Sequence, residues 1–190
     1  MKKTGLLLCI LTLCCIASCF INPDRYKCSW TSPENVQFRA VQKLKHQIDT
    51  AKMITYLDKA YNVRISYPEL FVATDTTPGT ARFRFPNDSV NEIALTMFVE
   101  PNIEGWNIKE AVQNLSDSLN VCIEEGKDYF IMTGKFSDNP CALFLEKCFL
   151  IDDNWIDYTL YYASDYEEAI ERLANLVKEW KPMNNKDIKQ

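Results

Sequence analysis

The residues able to do chemistry in this 190-residue chain are few and scattered. His46 is the only histidine, and it sits between Lys45 and Gln47 in a charged, helix-like stretch. A Ser-His or Cys-His nucleophile needs a base oriented by a third group. No second histidine or neighbouring cysteine serves that purpose, so His46 is expected on the surface. Asp152, Asp153 and Asp157 offer oxygens of the kind calcium takes. Their spacing lacks the glycine and closing glutamate of a calcium loop, and a solvated hairpin turn followed by an outward-facing Asp157 accounts for them. Glu124, Glu125 and Asp128 are the densest cluster that could supply the paired carboxylates of a glycosidase, whose pairing is spatial. An acidic loop before a strand accounts for these. The five glycines form neither a phosphate loop nor a dinucleotide fingerprint, and there is no serine elbow. The chain is therefore read as a non-enzyme, with no metal and no cofactor.

The remaining chemistry belongs to cysteine. Of eight, Cys9, Cys14, Cys15 and Cys19 lie in the first nineteen residues, and Cys28, Cys122, Cys141 and Cys148 lie beyond. Cys141 and Cys148 fall on one predicted strand. Seven residues at about 3.3 Å place their Cα atoms about 23 Å apart, whereas a disulfide needs about 7 Å. They cannot bond to each other. A bridge must join one of them to Cys122 or Cys28; buried thiols acting as small apolar residues are the alternative.

The first nineteen residues read as an address. Lys2 and Lys3 precede an apolar stretch from Gly5 to Ile16, and small residues end it. This is the layout of a secretory signal. The ending Ile16-Ala17-Ser18-Cys19 resembles a bacterial lipobox. That resemblance implies cleavage before Cys19 and a diacylglycerol on its sulfur, so residues 1–18 are the signal peptide. The apolar run is short for the roughly 20 residues a bilayer demands. Losing Lys2 and Lys3 and no acid moves the net charge from −5 to −7. An acidic protein is a poor partner for nucleic acid, whose binding rests on Lys and Arg. The membrane is engaged through the lipid on Cys19, not through a basic surface.

The mature 172 residues, with 47% apolar residues across the full chain, suffice for one domain with its own core. Residues 19–53 read as a tether and an N-terminal helix. Ser32-Pro33 begins the helix, and Val36, Ala40, Leu44, Ile48 and Ala51 recur at helical spacing, for a face expected to pack only loosely. Residues 54–182 read as the domain. Val63 to Tyr67, Thr80 to Phe85 and Ile93 to Val99 alternate polar and apolar, which predicts strands. In the second, Ala81, Phe83 and Phe85 share a face opposite Arg82 and Arg84. Asn107 and Glu110 form a capping box ahead of the stripe Ile108, Ala111, Val112, Leu115 and Leu119. Tyr129 to Phe136, Cys141 to Ile151 and Trp155 to Ala163 predict a three-strand antiparallel meander, because their links are short. The middle strand is read as apolar on both faces; the last turns Ile156, Tyr158, Leu160 and Tyr162 inward. Ser164 and Glu167 predict a second capping box and a helix from Asp165 to Trp180, which buries Ile170, Leu173, Ala174, Val177 and Trp180. Residues 183–190 are a polar tail.

This order predicts an α+β fold, an antiparallel β-sheet with helices packed on its faces. The segment Tyr61-Asn62-Val63-Arg64-Ile65-Ser66-Tyr67-Pro68-Glu69-Leu70-Phe71 and the closing strand and helix to Trp180 resemble PsbP-like domains, over roughly Ile54 to Pro182. That resemblance implies a binding or assembly factor. Trp155, Tyr161 and Tyr166 fall outside the inward set and are the candidate aromatic surface for a sugar or a protein; core residues under a helix are the alternative. Asp49-Thr50-Ala51, Asp75-Thr76-Thr77, Asp88-Ser89-Val90 and Asp117-Ser118-Leu119 resemble the O-glycosylation signal of exported Bacteroidetes proteins, which makes Thr50, Thr76, Ser89 and Ser118 candidate acceptors. The function expected is a lipid-anchored cell-envelope protein facing the periplasm or the exterior, with a non-catalytic binding or assembly role towards a protein or small ligand. The alternative is an envelope glycan hydrolase using unrecognised carboxylates.

Overall fold

The computed structural model describes residues 34–86, 93–118, 121–137 and 139–182. The signal, Cys19, Cys28, the Ser32-Pro33 cap, Ser89, Leu119 and the tail lie outside the described residues. Helix α1 (Glu34–Thr50) leads into a hairpin of β1 (Met53–Asp58) and β2 (Val63–Pro68). Then come β3 (Val72–Asp75), β4 (Thr80–Arg84), β5 (Ala94–Pro101) and helix α2 (Ile108–Ser118). Strands β6 (Val121–Glu125), β7 (Tyr129–Lys135), β8 (Ala142–Ile151) and β9 (Asn154–Ala163) follow, then a 3-10 turn (Ser164–Tyr166) and helix α3 (Glu171–Glu179). Strands β3 to β9 form one antiparallel sheet in the order β3-β4-β5-β9-β8-β7-β6. The fold is α+β, with helices on both faces of this sheet.

Strand alternation assigns the faces. Phe83, Leu95, Leu160 and Leu145 stand opposite one another across four adjacent strands, and all four are buried. Onto this face α3 sets Leu173 and Val177, flanked by Ile170 and Trp180 at its two ends, and α1 sets Val41, Leu44 and Ile48. Burying Leu173 and Val177 completely stabilises the fold by about 1.5–3 kcal/mol per side chain. Val63 and Ile65 of β2 join the same core. The hairpin is tied down through backbone carbonyls: Tyr158 Oη donates to Ser66 O at 2.6 Å and Trp180 Nε1 to Arg64 O at 2.8 Å. On the other face α2 covers β6 and β7, burying Ile108, Ala111 and Leu115 against Phe130, Met132 and Phe144.

Several expectations hold. The Asn107–Glu110 capping box forms in both directions at 3.0 Å. The meander is antiparallel, and Asp152 and Asp153 both take positive φ in the tight turn between Ile151 and Asn154, the conformation that two-residue hairpin turns need.

Others are corrected. The last helix begins at Glu171, not Asp165: Ser164–Tyr166 is one 3-10 turn, and no side-chain cap opens it. Ala169 and Ile170 are buried before the helix starts, so the apolar spacing ran ahead of the helix. Helix α1 does not pack loosely. It buries Val41, Leu44 and Ile48, while Ala40 is exposed. Arg172 of α3 donates to the carbonyls of Ile48, Asp49 and Ala51 at its C-terminal end. Glu124 and Glu125 are in edge strand β6, not a loop.

Candidate functional site

The second face of the sheet carries polar chemistry where the first carries leucine. Arg82, Thr96, Thr159 and Glu146 oppose one another across β4, β5, β9 and β8, one residue along from the apolar row. Thr96, Thr159 and Glu146 are all buried. Asp157 lies diagonal to Glu146, opposite Phe98 on one side and Cys148 on the other. Its Oδ1 accepts a hydrogen bond from Thr159 Oγ1 at 3.4 Å.

Burial raises the Glu146 carboxyl to about 7, the Glu100 charge adds to the rise, and hydrogen bonding from Thr159 opposes it. Glu146 Oε2 has no hydrogen-bond partner among the described residues. Burial also pushes Asp157 well above the usual carboxylate range, helped by the charges of Glu146 and Glu100. A carboxyl taken out of water favours its neutral form, and two adjacent ones do so jointly. The arrangement can hold a proton near neutral pH, which a general acid needs.

Asp157 is thus not the outward residue of a solvated turn; it lies on a covered face. Asp153 has a structural task. Its carbonyl accepts from Asn102 N at 2.9 Å, and its Oδ1 accepts from Asn102 Nδ2 at 3.3 Å. Asn102 also exchanges hydrogen bonds with the backbone of Trp106 and accepts from Trp155 Nε1 at 3.2 Å. The loop between β5 and α2 is thereby fixed, and it presents Ile103 with 76% of its surface exposed.

The candidate aromatic surface does not form. Tyr161 is buried with α2, stacked with Phe136 at 6.0 Å between ring centroids. Trp155 is half-buried on that same face, edge-on to Phe130. Tyr166 is half-buried against the opposite core. The three are split between two layers. His46 is exposed on α1 and its carbonyl accepts from Thr50 Oγ1 at 2.7 Å. Thr50 and Thr76 are both exposed, as O-linked acceptors must be. Ser118 ends α2, and its side chain lies outside the described residues.

Other buried polar groups serve architecture. Asp58 accepts from the amides of Ala60, Tyr61 and Gly79 at 2.8, 3.2 and 2.6 Å. Gly79 takes φ +79°, and a Cβ there would lie 3.0 Å from the Tyr61 ring. Lys147 Nζ donates to Lys178 O, near the C-terminal end of α3, at 2.6 Å and lies over the Tyr129 ring. A cleft of about 490 Å³ between α1 and α3 is lined by Lys45, Asp49, Met53, Glu171 and Arg172. Lys45 pairs with Asp49 and Glu171 there, both at 3.3 Å. Among the described residues, no three His, Cys, Asp or Glu side chains are placed to hold a metal, and no helix is long and apolar enough to cross a membrane. Cys141 is in a disulfide, whereas Cys122 and Cys148 are thiols. No 141–148 bond exists, as the strand spacing required.

Sequence reasoning missed Glu146. Its signal was the charged pair Glu146-Lys147 at the centre of an otherwise apolar run. Adjacent strand residues face opposite sides, so each layer receives one of the two charges.

No protein-family model matches the chain, and no curated protein matches it. The solution structure of cyanobacterial PsbP (CyanoP) from Synechocystis is similar at 16% identity and a TM-score of 0.44, over 67% of this chain and 90% of that one. The 1.9 Å crystal structure of the Ran-binding protein Mog1p from Saccharomyces cerevisiae is similar at 8% identity and a TM-score of 0.48, over 68% of this chain and 93% of that one.

Proposed function

We propose that this chain is a bacterial cell-envelope lipoprotein, anchored through lipid on Cys19, whose α+β domain binds or helps assemble a protein or small-ligand partner. The Ile16-Ala17-Ser18-Cys19 ending carries the envelope part. The disulfide at Cys141 supports export, since such bonds persist in oxidising compartments. The binding part is supported by where the polar side chains go: Asp58, Asn102, Lys147 and Arg172 each bond backbone and fix loops or helices. They hold a rigid scaffold and leave side chains such as Ile103 on its surface.

A Cys19→Ala variant is expected to leave the membrane fraction when the envelope is separated; full retention would overturn the anchor. The second reading, an envelope glycan hydrolase, is favoured by the raised carboxyls of Glu146 and Asp157. Purified protein incubated with envelope glycan is expected to release no reducing ends. Release that disappears in Glu146→Gln and Asp157→Asn would replace the binding role with hydrolysis.

A further inference from the structure

We infer that Cys141 is bonded to Cys28, and that this bond holds the Cys141 end of the domain closer to the membrane than a free tether would. Cys141 is in a disulfide, and neither Cys122 nor Cys148 is its partner. The remaining cysteines are Cys9, Cys14, Cys15, Cys19 and Cys28. On the lipoprotein reading, on which this step rests, the first three leave with the signal. The Cys19 sulfur is then a thioether. Only Cys28 still carries a thiol. Joining it to Cys141 removes two protons and two electrons, which pass to a disulfide-bearing thiol oxidant of the exported compartment and reduce it to a dithiol.

The position of Cys141 gives the bond its consequence. It directly precedes β8, its carbonyl accepts from Ser164 N at 2.8 Å, and Ala142 beside it stands opposite Ala163. The β7 end at Lys135 and Phe136 is adjacent, since Phe136 N donates to Ala142 O. Cys19 and Cys28 are nine residues apart, so the lipid lies within about 30 Å of this end even with the tether fully extended. Without the bond, the first fixed point is α1 at Glu34, fifteen residues on, for a reach of about 50 Å. Strand β8 runs ten residues away from Cys141, about 33 Å. The Asp152–Asp153 turn, and the Asn102 loop bonded to it, lie at the opposite end of β8, so the shortened tether favours the Cys141 end at the bilayer.

The whole lipoprotein is digested without reduction after its thiols are alkylated under denaturing conditions. The expected result is one cross-linked pair containing Cys28 and Cys141, with Cys122 and Cys148 alkylated. Alkylated Cys28, or Cys141 linked to any other cysteine, overturns the inference. The same digest of Cys19→Ala keeps the Cys28–Cys141 pair, so failure of the anchor and failure of the bond are read separately. For orientation, the protein is inserted into phosphatidylcholine vesicles doped with a lipid carrying a short amine-reactive group. Lys135, at the Cys141 end, is expected to be modified at least threefold more than Lys109, at the start of α2 at the far end. The preference is expected to vanish in Cys28→Ser. Equal modification of the two lysines in the wild-type protein overturns the orientation even where that variant does not fold.

Discussion

The two faces of the central sheet are built from the same strands and solve burial differently. On the α1/α3 face, Phe83, Leu95, Leu160 and Leu145 make an apolar row. One residue along, on the α2 face, Arg82, Thr96, Thr159 and Glu146 make a polar one. The first face gains from area removed from water. The second spends part of that gain on desolvated carboxyls, whose burial favours the neutral form. A sheet covered on both sides can thus keep its central row apolar in one layer and set a row with protonation chemistry inside the packed core of the other.

The largest expected effect tests the apolar face. Leu173 of α3 has no exposed surface and lies in the main core. Leu173→Ala should cost about 2–5 kcal/mol in denaturant unfolding. A loss under about 0.5 kcal/mol would show the helix to be peripheral to this layer.

How far these layers were legible in the sequence follows from the same contrast. Period two marked β4 and β5 because Ala81 and Phe83, or Leu95 and Met97, point into one core. Capping chemistry marked the start of α2. Strands β3 and β6 escaped notice. They are edges, with no fully buried residue in either; β3 is exposed nearly throughout, and the half-buried positions of β6, Val121 and Ile123, flank Cys122, so its residue types do not alternate. The end of the chain misled in the opposite sense: Ile170 is buried ahead of the helix, so its apolar spacing appeared helical too early. The carboxyl pair was the least legible. Glu146 and Asp157 are eleven positions apart and meet only through the β8–β9 register, and nothing local to Asp157 reveals that its face is covered.

The next effect tests the polar face through pH. The Glu146 carboxyl is raised from 4.5 to about 7 by burial first and the Glu100 charge second. The folded state therefore binds more protons than the unfolded chain between those values, and stability falls as pH rises through that window. The stabilising contribution is fully present below about pH 4.5 and lost above about 7. Asp157 acts in the same sense. Unfolding free energy should drop on the order of 2 kcal/mol between pH 5 and pH 8 on account of this pair. Glu146→Gln, neutral throughout, should remove most of that slope. A wild-type curve that climbs across the window would contradict a desolvated acid at this position.

A smaller effect sharpens how the apolar layer is closed. Arg172 binds three carbonyls at the end of α1. Hydrogen bonds from a charged donor each contribute modestly once water is exchanged, so Arg172→Ala should cost about 1–2 kcal/mol. The signature is local: hydrogen exchange should speed up across Glu34–Thr50 more than across β8 and β9. Uniform acceleration would mean that Arg172 supports the whole core instead of fastening one helix to it.

The smallest effect compares one thiol from each face. Cys122 stands opposite Thr133, which in turn stands opposite Leu145, so it belongs to the apolar side. There it sits on edge strand β6, beyond the cover of α1 and α3, and is exposed. Cys148 stands between Phe130 and Asp157 on the side that α2 covers, and is buried. A thiol reagent added to native protein should therefore modify Cys122 on mixing, and Cys148 only as fast as the fold opens. Cys122→Ser should shift stability by less than about 0.5 kcal/mol, as for other exposed positions. The reverse order of labelling would require α2 to lift from the sheet in the native state and uncover Cys148. Labelling order therefore reads whether the α2 layer stays closed over Cys148 in the native state.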